Sequence, residues 1–148
     1  MTELSSFVRG GNVEYNFEYD TQNRPTKVKV GDQTLSENVY NTTLGDPLYG
    51  TLKQIKYGNQ QTEEHVYDDF KRLVGVRLNG STTDSYQYTY GAEGQVRKIT
   101  DQELGRTVLN EYDVQSRPMR ITTVEGDNHI YTGEVAYDEY NNLKTFKE

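Results

Sequence analysis

One feature limits what this chain can fold into more than any other. A tyrosine recurs along its length, usually followed by aspartate, with arginine five positions after the tyrosine and a proline or apolar residue at the sixth. The tyrosines are Tyr19, Tyr67, Tyr90, Tyr112 and Tyr137, and the sixth positions are Pro25, Leu73, Val96, Pro118 and Leu143. Three residues further on lies another apolar residue: Val28, Val76, Ile99, Ile121 and Phe146. A sixth, irregular copy opens at Tyr40, closes with Leu52 and Ile55, and carries six extra residues within NTTLGDPLYGT. The sixth positions are spaced 27, 21, 23, 22 and 25 residues apart. A repeat of this length is one supersecondary unit that buries its apolar face only against its neighbours.

The pattern inside each copy has period two. YNFEY at 15–19 and YQYTY at 86–90 put their aromatics on one face of a strand. Turn signals follow at Gly31-Asp32, Gly58-Asn59, Asn79-Gly80, 101–105 and Gly126-Asp127. Pro25 and Pro118 fall at strand starts, where a missing N–H is tolerated. No segment has a convincing helical period. Each copy therefore reads as a strand, a tight turn, a second strand ending in Tyr-Asp, and a second turn. The expected fold is all-β: about six stacked hairpins in one curved, twisted antiparallel sheet, with residues 1–148 as a single segment.

The Tyr-Asp corner has a physical reading. An aspartate just past a strand accepts hydrogen bonds from backbone N–H groups about two residues on and so starts the reversal. The arginine can lay its stem over a neighbouring ring or reach the aspartate of its own or the next copy. The residues assigned to this structural motif are Tyr19, Asp20, Arg24, Tyr67, Asp68, Arg72, Tyr90, Tyr112, Asp113, Arg117, Tyr137 and Asp138. Repetition itself favours architecture over catalysis, because six similar units make six similar environments.

Composition narrows the partners. The net charge of −7 repels phosphate backbones, so no nucleic acid is expected. No apolar run approaches the roughly 20 residues that span a bilayer, so no membrane insertion is expected. Leu, Ile, Val and Phe make up only about a fifth of the chain, near the composition of disorder. Thirteen tyrosines offset this, since each ring buries a large area while its hydroxyl reaches a partner. Cysteine is absent, which excludes disulfides and thiolate metal sites.

Candidate chemistry is thin. His65 and His129 lie on expected strands without a second histidine at metal-binding spacing, and both read as ordinary exposed positions. Adjacent carboxylates, Glu63–Glu64 and Asp68–Asp69, suit a glycan hydrolase only if the fold brings two acids together, and neighbours on a strand point to opposite faces. No GxSxG or phosphate-binding loop occurs. No cofactor, metal or catalytic residue is assigned. Tyr86, Tyr88 and Tyr90 could stack on sugar rings if exposed, which supports an alternative reading as a cell-wall carbohydrate-binding or adhesion module.

The core YDxxxR[LP]xx[VI], seen in YDTQNRPTKV, YDDFKRLVGV and YDVQSRPMRI, resembles the YD or RHS repeat. YDEYNNLKTF has Asn142 in place of arginine, YGAEGQVRKI has Gly91 and Gln95, and the Tyr40 copy has Asn41. ITDQELGRT at 99–107 is similar to the family's linker TDxxGRxT. The resemblance covers nearly all of residues 7–148. It implies a piece of a large secreted or cell-surface bacterial protein, of the wall-associated, polymorphic-toxin, teneurin and toxin-complex cocoon group. Such repeats spiral into a β-shell that encloses or presents a C-terminal toxin domain. The implied partners are the rest of the polypeptide, further repeats and that toxin domain, with cell-wall glycan as the alternative and self-association expected through sheet edges. GDPLYG at 45–50 shares letters with the family's self-cleaving DPxG segment and reads as a turn. Met1 reads as an added start.

Overall fold

A computed structural model describes residues 4–8 and 11–147. Met1 lies outside the described residues. The regular structure among them is β-strand throughout. The chain divides into two compact units, Met1–Thr82 and Thr83–Glu148.

The first unit holds β1 (Leu4–Val8), β2 (Gly11–Tyr19), β3 (Pro25–Val30), β4 (Gln33–Tyr40), β5 (Leu52–Tyr57), β6 (Thr62–Tyr67) and β7 (Leu73–Leu78). Each pairs antiparallel with the next in chain order. The second holds β8 (Tyr86–Tyr90), β9 (Val96–Asp101), β10 (Arg106–Tyr112), β11 (Pro118–Glu125), β12 (Asn128–Tyr137) and β13 (Leu143–Lys147), paired in the same way. The all-β array of antiparallel hairpins expected from the repeat is present in both units. Every repeat tyrosine is the last residue of a strand, and every sixth-position residue is the first of the next.

The strand junctions explain this regularity. Tyr19 pairs with Pro25, Tyr40 with Leu52, Tyr67 with Leu73, Tyr90 with Val96, Tyr112 with Pro118 and Tyr137 with Leu143. In each case the register slips by one just before the tyrosine. Such a bulge increases local twist and re-aims the side chains beside it. At the opposite strand ends, the two-residue loops expected at 31–32 and 126–127 are present, whereas β5 and β6 are joined by the four residues 58–61 and β7 is followed by a longer connection, 79–85. Gly31 (φ 54°) and Gly126 (φ 57°) take the first position of turns closed by Val30–Gln33 and Glu125–Asn128. That position needs positive φ, which glycine adopts without strain.

Between the bulges the faces alternate. In the first unit one face carries Tyr15, Phe17, Val28, Tyr40, Ile55, His65, Tyr67 and Val76, while Glu18, Lys27, Glu37 and Lys56 stand in register on the other. In the second unit Glu111, Arg120, Glu134 and Lys147 form a similar row of alternating sign. Arg120 bridges Glu111 at 3.2 Å and Glu134 at 2.8 Å. Cross-strand pairs of opposite charge add a few tenths of a kcal/mol to about 1 kcal/mol each.

Burial is shallow. Val76, 5% exposed, is the only buried apolar side chain among the described residues, and none of them is fully enclosed. The contacts that hold each unit lie within the plane of the sheet, between one hairpin and the next.

Candidate functional site

The repeated corner is the place where side chains converge. In the first copy Asp20 N–H donates to the Arg24 carbonyl at 3.0 Å, and Asn23 N–H donates to the Asp20 carbonyl at 3.0 Å. The Asp20 carboxylate fills the inside of this turn. Its Oδ1 accepts from Gln22 N–H at 2.9 Å and Arg24 N–H at 3.0 Å, and its Oδ2 accepts from Arg24 Nε at 2.7 Å. Asp68 repeats the arrangement with Phe70 N–H, Arg72 N–H and Arg72 Nε, and Asp113 repeats it with Gln115 N–H, Arg117 N–H and Arg117 Nε. The arginine thus reaches the aspartate of its own copy, one of the two expected options.

The guanidinium does a second job. Arg24 lies over the ring of Tyr40, 4.3 Å from its centroid, and Arg117 lies over Tyr137 at 4.3 Å. Those rings belong to the following copy. Half-buried stacking of this kind contributes about 1 kcal/mol. The same tyrosine then reaches back. Tyr40 hydroxyl donates to the Pro25 carbonyl at 2.9 Å, Tyr67 to Leu52 at 2.7 Å, Tyr112 to Val96 at 2.9 Å and Tyr137 to Pro118 at 2.9 Å. Asn38 and Asn110, two residues before their tyrosines, bond the same carbonyls at 3.0 and 3.1 Å. At Arg24 and Arg117 the corner therefore links copy to copy: aspartate holds arginine, arginine covers the next ring, and that ring's hydroxyl caps the carbonyl beside the arginine; Arg72 instead lies 5.2 Å from the ring of Phe70 in its own copy.

Copies that depart from the motif keep its function by other means. In the last, Asn142 replaces arginine; its N–H reaches Asp138 Oδ1 at 2.8 Å and its Nδ2 reaches Oδ2 at 3.2 Å. In the Gly91 copy, Arg97, two positions later than the usual arginine, stacks 5.5 Å from the Tyr112 ring. In the Tyr40 copy, Asn41 Nδ2 donates to Thr51 Oγ1 at 2.7 Å, and Asp46 Oδ1 accepts from Leu48 N–H at 2.7 Å, so GDPLYG is a turn as expected.

Two regularities escaped the sequence reading. The residue before the arginine position has positive φ in Asn23 (60°), Lys71 (61°), Gly94 (84°), Ser116 (60°) and Asn141 (69°). Asparagine and glycine at three of the five places were the available signal. The other is the tyrosine hydroxyl's target, which lies in the preceding copy and leaves no mark on any single copy.

His65 corrects an expectation. It was read as an ordinary exposed position, yet its side chain is only 11% exposed. Its Nε2 lies 2.7 Å from Glu63 Oε1, and its Nδ1 lies 3.3 Å from the Tyr67 hydroxyl. Glu63 also accepts from the Tyr57 hydroxyl at 3.0 Å. Period-two spacing places residues 63, 65 and 67 on one face, which the sequence had offered. His129 is exposed. Among the described residues no group of three or more potential metal ligands gathers.

The proposed sugar-stacking residues Tyr86, Tyr88 and Tyr90 share one face of β8 and are half-buried, while Gln87 and Thr89 between them are exposed. Tyr112 and Tyr137 are also half-buried, each beneath an arginine; Tyr19 is 41% exposed.

The aspartates are tuned by their corners. The Arg24 N–H bond, with those of the Arg24 side chain and Gln22, holds Asp20 below the usual carboxylate value. Asp113 is lowered first by the Arg117 side chain, and Asp138 first by the Asn142 N–H. At Asp68 burial pushes upward, but the bonds from Arg72 and Phe70 together outweigh it. A folded-state pKa below the unfolded value of about 3.9 adds stability that is present above that value. It is lost as pH falls through the lower folded values. Unfolding midpoints are therefore expected to hold from pH 7 to about pH 4 and to fall steeply below. Urea titrations at stepped pH check this; a midpoint that rises on acidification contradicts it. Removing one cap is a second check: Tyr67→Phe is expected to cost about 1 kcal/mol, the net worth of one hydrogen bond.

Comparison with known proteins adds a structural counterpart. No family model matches the sequence, and no curated protein matches it either. Solved structures do. The crystal structure of TcdB2-TccC3 without its hypervariable C-terminal region superposes over 97% of this chain at a TM-score of 0.64 and 17% identity. This chain has the fold of a stretch of TcdB2-TccC3. The Photorhabdus luminescens Tc holotoxin pore with a mutated TccC3 matches over 92% at a TM-score of 0.60 and 14% identity. The chain spans 9% and 10% of the lengths of those two chains. The structural counterpart therefore falls within the toxin-complex group named by the repeat resemblance.

Proposed function

We propose that this chain is a non-enzymatic wall segment of a larger secreted or cell-surface YD-repeat protein, contributing to a β-shell that encloses or presents a C-terminal toxin domain. The observation that carries the reading is the direction of the contacts. Within each unit corners bond to their neighbours along the array, while burial across the sheet is slight. A sheet stabilised in its own plane is suited to be a wall, since it needs no second packed layer. The likeness to TcdB2-TccC3 supports the same reading.

Antibodies raised against the 148-residue chain test it in the organism that makes it. The expected result is a band many times larger than the chain, in the medium or accessible on intact cells. A band at the size of the chain itself, confined to the cell interior, would overturn the proposal.

A further inference from the structure

The connection that leaves β7 begins with a reactive pair. Asn79 and Gly80 both have positive φ, 53° and 73°, and Ser81 N–H donates to the Leu78 carbonyl at 3.0 Å. Asn-Gly suits a tight turn that needs positive φ at both central places. Asn79 is the only asparagine in the sequence that precedes a glycine. Both residues are exposed.

An asparagine side chain is an amide, and the nitrogen of the following peptide unit can attack its carbonyl carbon to close a cyclic imide. Two things hold that attack back. The first is crowding by the side chain of the following residue. Gly80 has none, and even a Cβ there would meet nothing within 4 Å. The second is the negative charge that gathers on Oδ1 as the carbonyl carbon becomes tetrahedral. Thr62 N–H, at the start of β6, already donates to Asn79 Oδ1 at 3.1 Å. Asn79 N–H donates in return to the Thr62 carbonyl at 2.8 Å, which holds the two residues against each other. A backbone donor aimed beforehand at an oxygen that gains charge lowers the barrier of such a step.

We propose that Asn79 is a self-modification site, with Gly80 supplying the nucleophile and Thr62 the donor to the developing oxyanion. The Gly80 nitrogen gives its proton to solvent and bonds to Asn79 Cγ. The Cγ–Nδ2 bond breaks, and Nδ2 takes a proton from solvent and leaves as ammonia. Water opens the resulting succinimide. Addition at Cγ gives aspartate at position 79, and addition at the main-chain carbonyl gives isoaspartate. Aspartate keeps an oxygen for the Thr62 N–H. Isoaspartate lengthens the main chain by one carbon inside a turn closed by the Ser81–Leu78 bond, and so pulls the acceptor away from Thr62. Either product adds a negative charge, and isoaspartate also loosens the head of β6. The turn is therefore a slow chemical timer.

Asn59 provides a comparison within the same unit. It too is exposed, and its Oδ1 accepts from Gln61 N–H at 3.1 Å. The residue after it is Gln60, which brings a side chain to the approach, and its Nδ2 donates to Gln61 Oε1 at 2.9 Å.

The test incubates the whole 148-residue chain at mildly alkaline pH and follows tryptic peptide masses, with isoaspartate read by an isoaspartyl methyltransferase. Conversion at Asn79 is expected to run several-fold faster than at Asn59. Thr62→Pro removes the donor at the first residue of a strand, where proline is tolerated. It is expected to slow Asn79 about tenfold, less than the roughly 100-fold of an enclosed oxyanion donor, because this one meets solvent. Thr62→Ala keeps the N–H and is expected to react at the wild-type rate, and in urea all three chains are expected to react alike. Equal conversion at Asn79 and Asn59 in the wild-type chain would overturn the proposal, and that result needs no variant to fold. A folded Thr62→Pro chain that converts at the wild-type rate, or one that stays slower in urea, would overturn the part given to Thr62.

Discussion

Gly58→Ala is expected to destabilise the first unit by about 3 kcal/mol, combining overpacking with a lost backbone hydrogen bond. Gly58 sits in the turn between β5 and β6, and its N–H donates to the Leu35 carbonyl at 2.8 Å. A Cβ at this position would lie 2.4 Å from the Thr34 carbonyl oxygen and 3.5 Å from Leu35 Cα. The obstacle is backbone on the neighbouring hairpin, so no rotamer change relieves it. Either the turn or the start of β4 must move, and the hydrogen bond goes with it. For a unit of this size the loss corresponds to a fall in Tm on the order of 15 °C. Gly133→Ala is the control. Its Cβ would meet the Tyr131 hydroxyl at 2.6 Å, the far end of a side chain that is 38% exposed and free to swing away. Thermal unfolding followed by circular dichroism compares the two. Equal effects would show that backbone approach at Gly58 is not what fixes glycine there.

Val76→Ala is expected to cost about 2 kcal/mol, from two methyl groups removed from a buried site and the space left behind. Val76 faces His65 across the β6–β7 ladder. It is the best-covered apolar side chain among the described residues. Urea unfolding should show a lower midpoint with an unchanged slope. The same replacement at Val114, fully exposed at a corner, is expected to change stability by less than about 0.5 kcal/mol. A negligible effect at Val76 would mean that even this site contributes little, and that stability rests wholly on the ladder and the corners.

Much of this was legible in the sequence. Pro25 and Pro118 marked strand starts, and the Tyr-Asp pairs marked strand ends to within one residue, because a tyrosine, an aspartate and an arginine at fixed spacing leave the backbone one favourable reversal. Asp20 as the turn acceptor and Arg24 as the cover of a tyrosine ring were also readable, since both interactions are short in sequence or chemically narrow. GDPLYG was readable as a turn despite its borrowed letters.

What the sequence did not carry was any contact between one copy and the next. Nothing in YDTQNRP says that its arginine will lie on Tyr40 rather than on Tyr19, or that the Pro25 carbonyl needs a hydroxyl from 15 residues away. Glu63 and Tyr67 share the His65 face of β6 by period-two spacing, so those two contacts were readable; only strand pairing adds Tyr57 of β5, which bonds Glu63, and sets Val76 of β7 opposite His65. Local chemistry is written in spacing along one chain segment, so the repeat alone determined strands, turns and alternation of faces. Register is a choice among pairings that differ by a slip of one residue. The bulge before each tyrosine makes that choice. Only the assembled ladder shows it, because the energies that decide it are shared between strands and belong to neither sequence alone.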